Sequence, residues 1–219
     1  FKGDVISLFP RRLHTLKIGH CKFDDSDPAD SFPQGLTCLS IRSSKVSIKF
    51  LQRLPSTITD LDIGKAAISG SDLPKLGSHF PGLQALNLCR VKITDSHIKD
   101  IPRKLTRLDL SENDKLTDSS IGSLPPDLRW LDLGSKELTG SCAVVVPRKL
   151  EHLRLGTPNL NGQCIVSLPR TLTYLDVSAT SFKSSELDRY AFPGTLKRLV
   201  VHSDIRGWAK TVKLPIVKE

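Results

Sequence analysis

The stretch Leu168–Thr180 reads LPRTLTYLDVSAT. An apolar residue and a proline lead it. Leucine follows at Leu172 and Leu175, and an aliphatic at Val177. The same frame runs through LPPDLRWLDLGSK (Leu124–Lys136) and IPRKLTRLDLSEN (Ile101–Asn113). Aligned on its first aliphatic, the chain holds nine copies, beginning near residues 13, 36, 58, 83, 105, 128, 150, 172 and 196. Every copy has leucine at the second position and Leu, Ile or Val at the third, with a proline just ahead of the first. A further apolar position recurs later in most copies, as at Phe23, Val46, Ile93, Leu116, Leu138 and Phe182.

The second and third aliphatics are two residues apart, so they share one face of a strand. Proline fixes an extended approach and cannot donate inside a ladder, so it marks the lead-in to that strand. One copy carries too few apolar side chains to bury them alone. Stacked in parallel, the copies turn each leucine position into a continuous core, the one-dimensional logic of a repeat solenoid. Segments such as ITDSHIKDI and LTDSSIGSL have room for a helical or 3₁₀ turn on the way back. The longer ISGSDLPKLGSHF leaves its structure open. Nine strands at ~4.8 Å spacing make a sheet roughly 40 Å across, on the concave side because strands pack more tightly than arcs.

The pattern resembles the leucine-rich-repeat superfamily over Phe9–Val201, and its proline-led form is similar to the LPxxLxxLxL variants of bacterial and protist proteins. The resemblance implies an α/β repeat solenoid, a right-handed horseshoe with a parallel concave sheet. It also implies a protein-recognition scaffold. The superfamily's inner-turn asparagine is present only at Asn113. Cys21, Ser44, Ala66, Val91, Lys136, Pro158, Thr180 and Asp204 take its place elsewhere, so a regular asparagine ladder is in doubt. The domain reading is one unit over 1–219. Residues 1–8 form a partial copy, and 203–219 a tail or cap in which Trp208 covers the last coil.

Of the 219 residues, 38% are hydrophobic and 25% charged, the balance of a globular chain. No apolar run approaches the ~20 residues that cross a bilayer, so membrane insertion is not expected. With no methionine, the chain reads as a piece of something longer. The net charge of +9 admits an acidic protein, nucleic acid or an anionic surface as partner. Five cysteines, an odd number, and no Asn-x-Ser/Thr acceptor lean toward a reducing compartment. Cys142 and Cys164 fall at the same place in successive copies, either as a ladder of free thiols or as a disulfide.

No phosphate loop, nucleophile elbow or zinc-ligand spacing is present. The expectation is therefore no enzyme, no catalytic residue, no metal and no cofactor. What the sheet supplies is two outward columns. One places Trp130, His152 and Tyr174 on successive strands between Arg107 and Arg198; the other carries Asp109, Asp132, Arg154 and Asp176. Trp, Tyr and Arg dominate binding hot spots. The expected site holds a protein or peptide on the concave face. The rings would anchor it by apolar contact, the arginines would pair with its acidic groups, and the aspartates would select its basic ones. Cross-strand stacking that pins the sheet's register is the competing reading of the rings. A soluble outward position is the competing reading of the aspartates. Arg11, Arg12, Arg103, Lys104, Arg148, Lys149 and Arg170 form a broken basic ridge along one sheet edge. That ridge is either an anion or nucleic-acid track or a solvated edge that discourages aggregation. A purely structural spacer is a third alternative.

Overall fold

Each copy turns the leucine at its second position inward, and the sheet follows from that. The computed structural model of the protein describes residues 3–160, 162–181, 191–202 and 216–218. Nine strands lie where the triplets place them: β1 (Thr15–Lys17), β2 (Cys38–Ser40), β3 (Asp60–Asp62), β4 (Ala85–Asn87), β5 (Arg107–Leu110), β6 (Trp130–Leu133), β7 (His152–Leu155), β8 (Tyr174–Asp176) and β9 (Arg198–Val201). Every neighbouring pair is parallel, in one open sheet whose order is the chain order. The register sets leucine against leucine throughout, Leu16 opposite Leu39 and Leu153 opposite Leu175. These central leucines are buried, as are most of the flanking aliphatics.

Main-chain bonds between copies repeat with the same regularity. One carbonyl ahead of each strand accepts two N–H groups from the next copy, which its two lone pairs allow. Thus Thr37 and Cys38 donate to His14 O, and Thr173 and Tyr174 donate to Glu151 O. The return arcs carry short helices: α1 (Ile48–Leu51), α2 (Leu73–His79), α3 (Asp95–Ile98), α4 (Asp118–Ile121) and α5 (Cys142–Val145). The longer third arc uses its extra residues for a 3₁₀ turn, Gly70–Asp72, running into α2. Gly3–Leu8 and Gly162–Ser167, two segments of similar sequence, both form 3₁₀ turns.

A tenth strand, β10 (Ile216–Lys218), pairs parallel with β9, Ile216 opposite Leu199. The nine-copy reading did not place it, because Pro215 precedes this strand directly whereas Pro33 precedes β2 by five residues. Phe182, Asp204 and Trp208 lie outside the described residues.

Asn113 does the work its column implies. Its Oδ1 accepts from Ile93 N at 2.9 Å, and its Nδ2 donates to Leu88 O at 2.9 Å and Leu110 O at 3.0 Å. Hydroxyls replace it in copies two and eight as Ser44 and Thr180, and in copies six and seven the position slips by one residue. Buried Ser135 and Thr157, not Lys136 and Pro158, reach the preceding copy, donating to Leu116 O at 2.7 Å and Leu138 O at 2.8 Å. In the first five copies the residue four after the central leucine has positive φ: His20, Ser43, Lys65, Arg90 and Glu112. In the first four of these its N–H bonds a carbonyl of the next copy, as Lys65 N does to Cys89 O at 2.7 Å. Copies six and seven shorten this turn and have no such residue. Asn113→Ala strips partners from three buried backbone groups, and we expect a loss of about 2 kcal/mol in urea unfolding. A loss below about 0.5 kcal/mol counts against that role.

Candidate functional site: the concave sheet face

The outward residue between the first two aliphatics changes size along the sheet. In β5–β9 it is Arg107, Trp130, His152, Tyr174 and Arg198, and the five groups form one continuous stack. Arg107 Cζ lies 4.4 Å from the Trp130 ring centre. Trp130 and His152 stack at 5.2 Å and 22°, and His152 and Tyr174 at 3.9 Å and 4°. Arg198 Cζ caps the far end, 5.6 Å from the Tyr174 ring. Parallel strands at ~4.8 Å spacing bring successive rings within stacking distance. The three rings are half-buried and both arginines exposed.

The stacking alters what the rings offer. Their faces cover one another, so the edges are left to the open side. Ring edges carry partial positive charge. The stack therefore sets a row of such edges between two guanidinium groups. Burial, with Arg107 and Arg198 adding to it, pushes the His152 imidazole down to about 4.

The second outward column holds a correction. Asp132 and Asp176 are 7% and 3% exposed, so they are neither soluble outward positions nor free to select a partner's basic groups. Arg154 rides over both, its Nη1 3.7 Å from Asp132 Oδ2 and its Nε 3.3 Å from Asp176 Oδ2. The aspartates also clamp the end of their own strand. Asp176 Oδ1 accepts from Ser178 N and Oγ at 2.9 and 2.7 Å, and Asp109 Oδ1 likewise from Ser111 at 2.9 and 2.6 Å. Asp62 accepts from Gly64 N at 3.0 Å. A small residue two after the aspartate is the sequence signal of this clamp. Asp132 shows no such bond, and burial with Asp109 alongside pushes its carboxyl up to about 7.

Toward the N-terminus the outward residues shrink, and the surface sinks into a depression of about 220 Å³. Cys38, Ser40, Ala85 and Asn87 line it with Asp60 and Asp62; Lys17, Arg107 and Asp109 stand around it. Ligand pockets usually span ~300–1,000 Å³, so this depression falls below that range. Asp60 and Asp62 were absent from the expected site. The signal was the run of small residues in both columns of copies two to four.

The residues of the basic ridge are all exposed, but carboxylates and carbonyls break it up. Lys149 Nζ pairs with Asp127 at 2.5 Å, and beside it Arg129 pairs with Glu151 at 2.6 Å. Arg103 and Arg148 donate to Ser123 O and Ser167 O at 2.6 and 2.8 Å. Arg11 and Arg12 lie ahead of β1, apart from the rest. Cys142 and Cys164 are free, buried thiols, each pushed up to about 12 by burial. Among the described residues no three His, Cys, Asp or Glu side chains converge as metal ligands, and no helix is long and apolar enough to cross a membrane.

A stack of 22–25-residue coils with one parallel sheet defines a repeat solenoid. Its fold is that of the leucine-rich-repeat superfamily. The family model described as Leucine Rich repeat matches residues 102–124. The leucine-rich repeat-containing protein LegL7 from Legionella pneumophila superposes with a TM-score of 0.62 at 19% identity, over 88% of this chain and 74% of that one. Internalin C2 from Listeria monocytogenes gives 0.62 at 18% identity, over 86% and 80% of the two chains. The internalin inlF from the same species gives 0.60 at 19% identity; the match spans 99% of this chain and 62% of the internalin. No curated protein matches the sequence significantly.

Proposed function

We propose that the chain is a non-catalytic recognition module that holds a protein or peptide segment on its concave face. The observation that carries this is the five-group stack from Arg107 to Arg198, which presents a pre-ordered row of side chains at the centre of an open sheet. Leucine-rich-repeat and other solenoids use such extended concave surfaces for binding. Rigid aromatics lose little entropy on binding, and their neighbours already hold these. Among the described residues the concave surface is broad and its depression open to water, so it favours binding over catalysis. The interrupted basic ridge ranks an anion track below this reading.

The test is capture of a partner by immobilised wild type beside two variants. Trp130→Ala/Tyr174→Ala removes the stack, and we expect capture to be lost while far-ultraviolet circular dichroism stays native-like. Arg107→Ala/Arg198→Ala keeps the rings. It should weaken capture with less than about 1 kcal/mol change in stability, as for exposed cation–π pairs. Undiminished capture by the first variant refutes the site.

A further inference from the structure

The concave face shows acids over its middle strands and cations over β5–β9, and side-chain size decides which sign shows. Over β6–β8 the acids are present but sunk, Asp132 and Asp176 lying beneath Arg154. What faces a partner there is Arg154, the positive ring edges and the terminal guanidinium groups of Arg107 and Arg198. Over β2–β4 the neighbouring side chains are smaller, and Asp60, Asp62 and Asp109 all reach the depression, with Lys17 and Arg107 at its margin. Two titratable groups report the same polarity. The Cys38 thiol in the depression is pushed up by burial and then by Asp60, with Asp62 adding and Lys17 opposing. The His152 imidazole in the stack is pushed down by burial and then by Arg107, with Arg198 adding and Asp176 opposing.

Resting on the concave-face reading above, we infer that the partner is a bipolar extended segment, with a lysine or arginine seated in the β2–β4 depression and acidic side chains laid over the β5–β9 stack. Charge complementarity of this kind fixes register and direction more than raw affinity. The depression has room for one long side chain, whose ammonium or guanidinium would meet Asp60 and Asp62. Asp60 and Asp62 lie on β3 and His152, the middle of the stack, on β7, four strands or about 19 Å apart at ~4.8 Å per strand. An extended chain crossing the strands covers that in about six residues at ~3.3 Å each. The basic and acidic groups of the partner are therefore separated by that interval.

Fluorescent peptides of one composition provide the test, read by anisotropy at low ionic strength. One has lysines at one end and glutamates at the other, across a neutral spacer of about six residues, and is made in both chain directions. A second alternates the same charges; a third keeps only the glutamates, with serine for lysine. We expect one bipolar peptide to bind about tenfold more tightly than the alternating isomer, the worth of one charge-assisted contact in a partly desolvated cleft. Asp60→Asn/Asp62→Asn, which keeps the side-chain shape and a carbonyl acceptor for the Gly64 N–H, should reduce that peptide to the level of the glutamate-only one. Arg107→Gln, at the other region, should weaken the glutamate-only peptide. A bipolar peptide no tighter than its isomer, with capture still lost in the Trp130/Tyr174 variant, overturns the inference and leaves the concave site standing. Capture that survives in the Trp130/Tyr174 variant removes the site, and the inference falls with it.

Discussion

Phe50→Ala is expected to lose about 3–5 kcal/mol, with the damage confined to the N-terminal coils. Phe50 is fully buried in α1. It stacks on Phe23 at 4.7 Å and 13°, and meets Phe32 edge-on at 6.1 Å. Phe32 in turn touches Phe23 and Phe9, each at 6.4 Å. These rings belong to the first two coils and to the lead-in of the first. Truncating the central one leaves a cavity that a stack of rigid coils cannot close. Each coil packs chiefly on its neighbours, so the loss uncouples the end from the middle. Hydrogen exchange should show β1 and β2 losing protection while β6–β8 keep theirs. Equal loss across the sheet would argue that the solenoid melts as one block.

Arg154→Leu is expected to cost about 2–3 kcal/mol at pH 8 and clearly less at pH 5. Removing one partner of a buried ion pair typically costs ~3–5 kcal/mol. Arg154 is 46% exposed on its side chain, so water already shares part of that interaction and the lower figure applies. Asp132 and Asp176, with side chains 10% and 4% exposed, would be left without their countercharge. The pH dependence follows from Asp132. Its folded pKa is raised from 3.8 to about 7. The folded state therefore holds a proton that the unfolded chain releases, and the associated stability is full below pH 3.8 and lost as pH rises through 7. Without Arg154 the carboxyl is harder still to ionise, so the gap between variant and wild type is constant while both folded states hold the proton and widens as pH rises through 7. Urea midpoints at pH 5 and pH 8 measure it, and Asp132→Asn in the Arg154→Leu background should narrow the pH 8 gap. A gap equal at both pH values would show that Arg154 acts through its alkyl stem and not its charge.

The fold was legible because it depends on period, and period survives in one dimension. The leucine triplets placed nine strands in parallel register, and counting outward residues brought Trp130, His152 and Tyr174 together before any coordinates. Exposure was not legible, because it depends on the relative height of neighbours. Asp109 and Asp132 occupy the same column on adjacent strands, yet only Asp132 sinks, under an arginine from the next strand. The depression escaped notice for the same reason: Ala85 and Ser40 matter by what they fail to cover. The shift of the polar turn position to Ser135 and Thr157 was hidden because copies six and seven keep their overall length while dropping one residue from the turn.

That turn divides the molecule into two dialects. Coils one to five share a left-handed joint after the strand; coils six and seven use a tighter one. A duplication or excision of whole coils inside either block would keep each joint beside its own kind. A splice across residues 113–135 would join mismatched joints and strand a buried hydroxyl or amide without its carbonyl. Growth and loss of coils in this lineage should therefore respect that boundary, and engineered chains of altered length should be cut on either side of it.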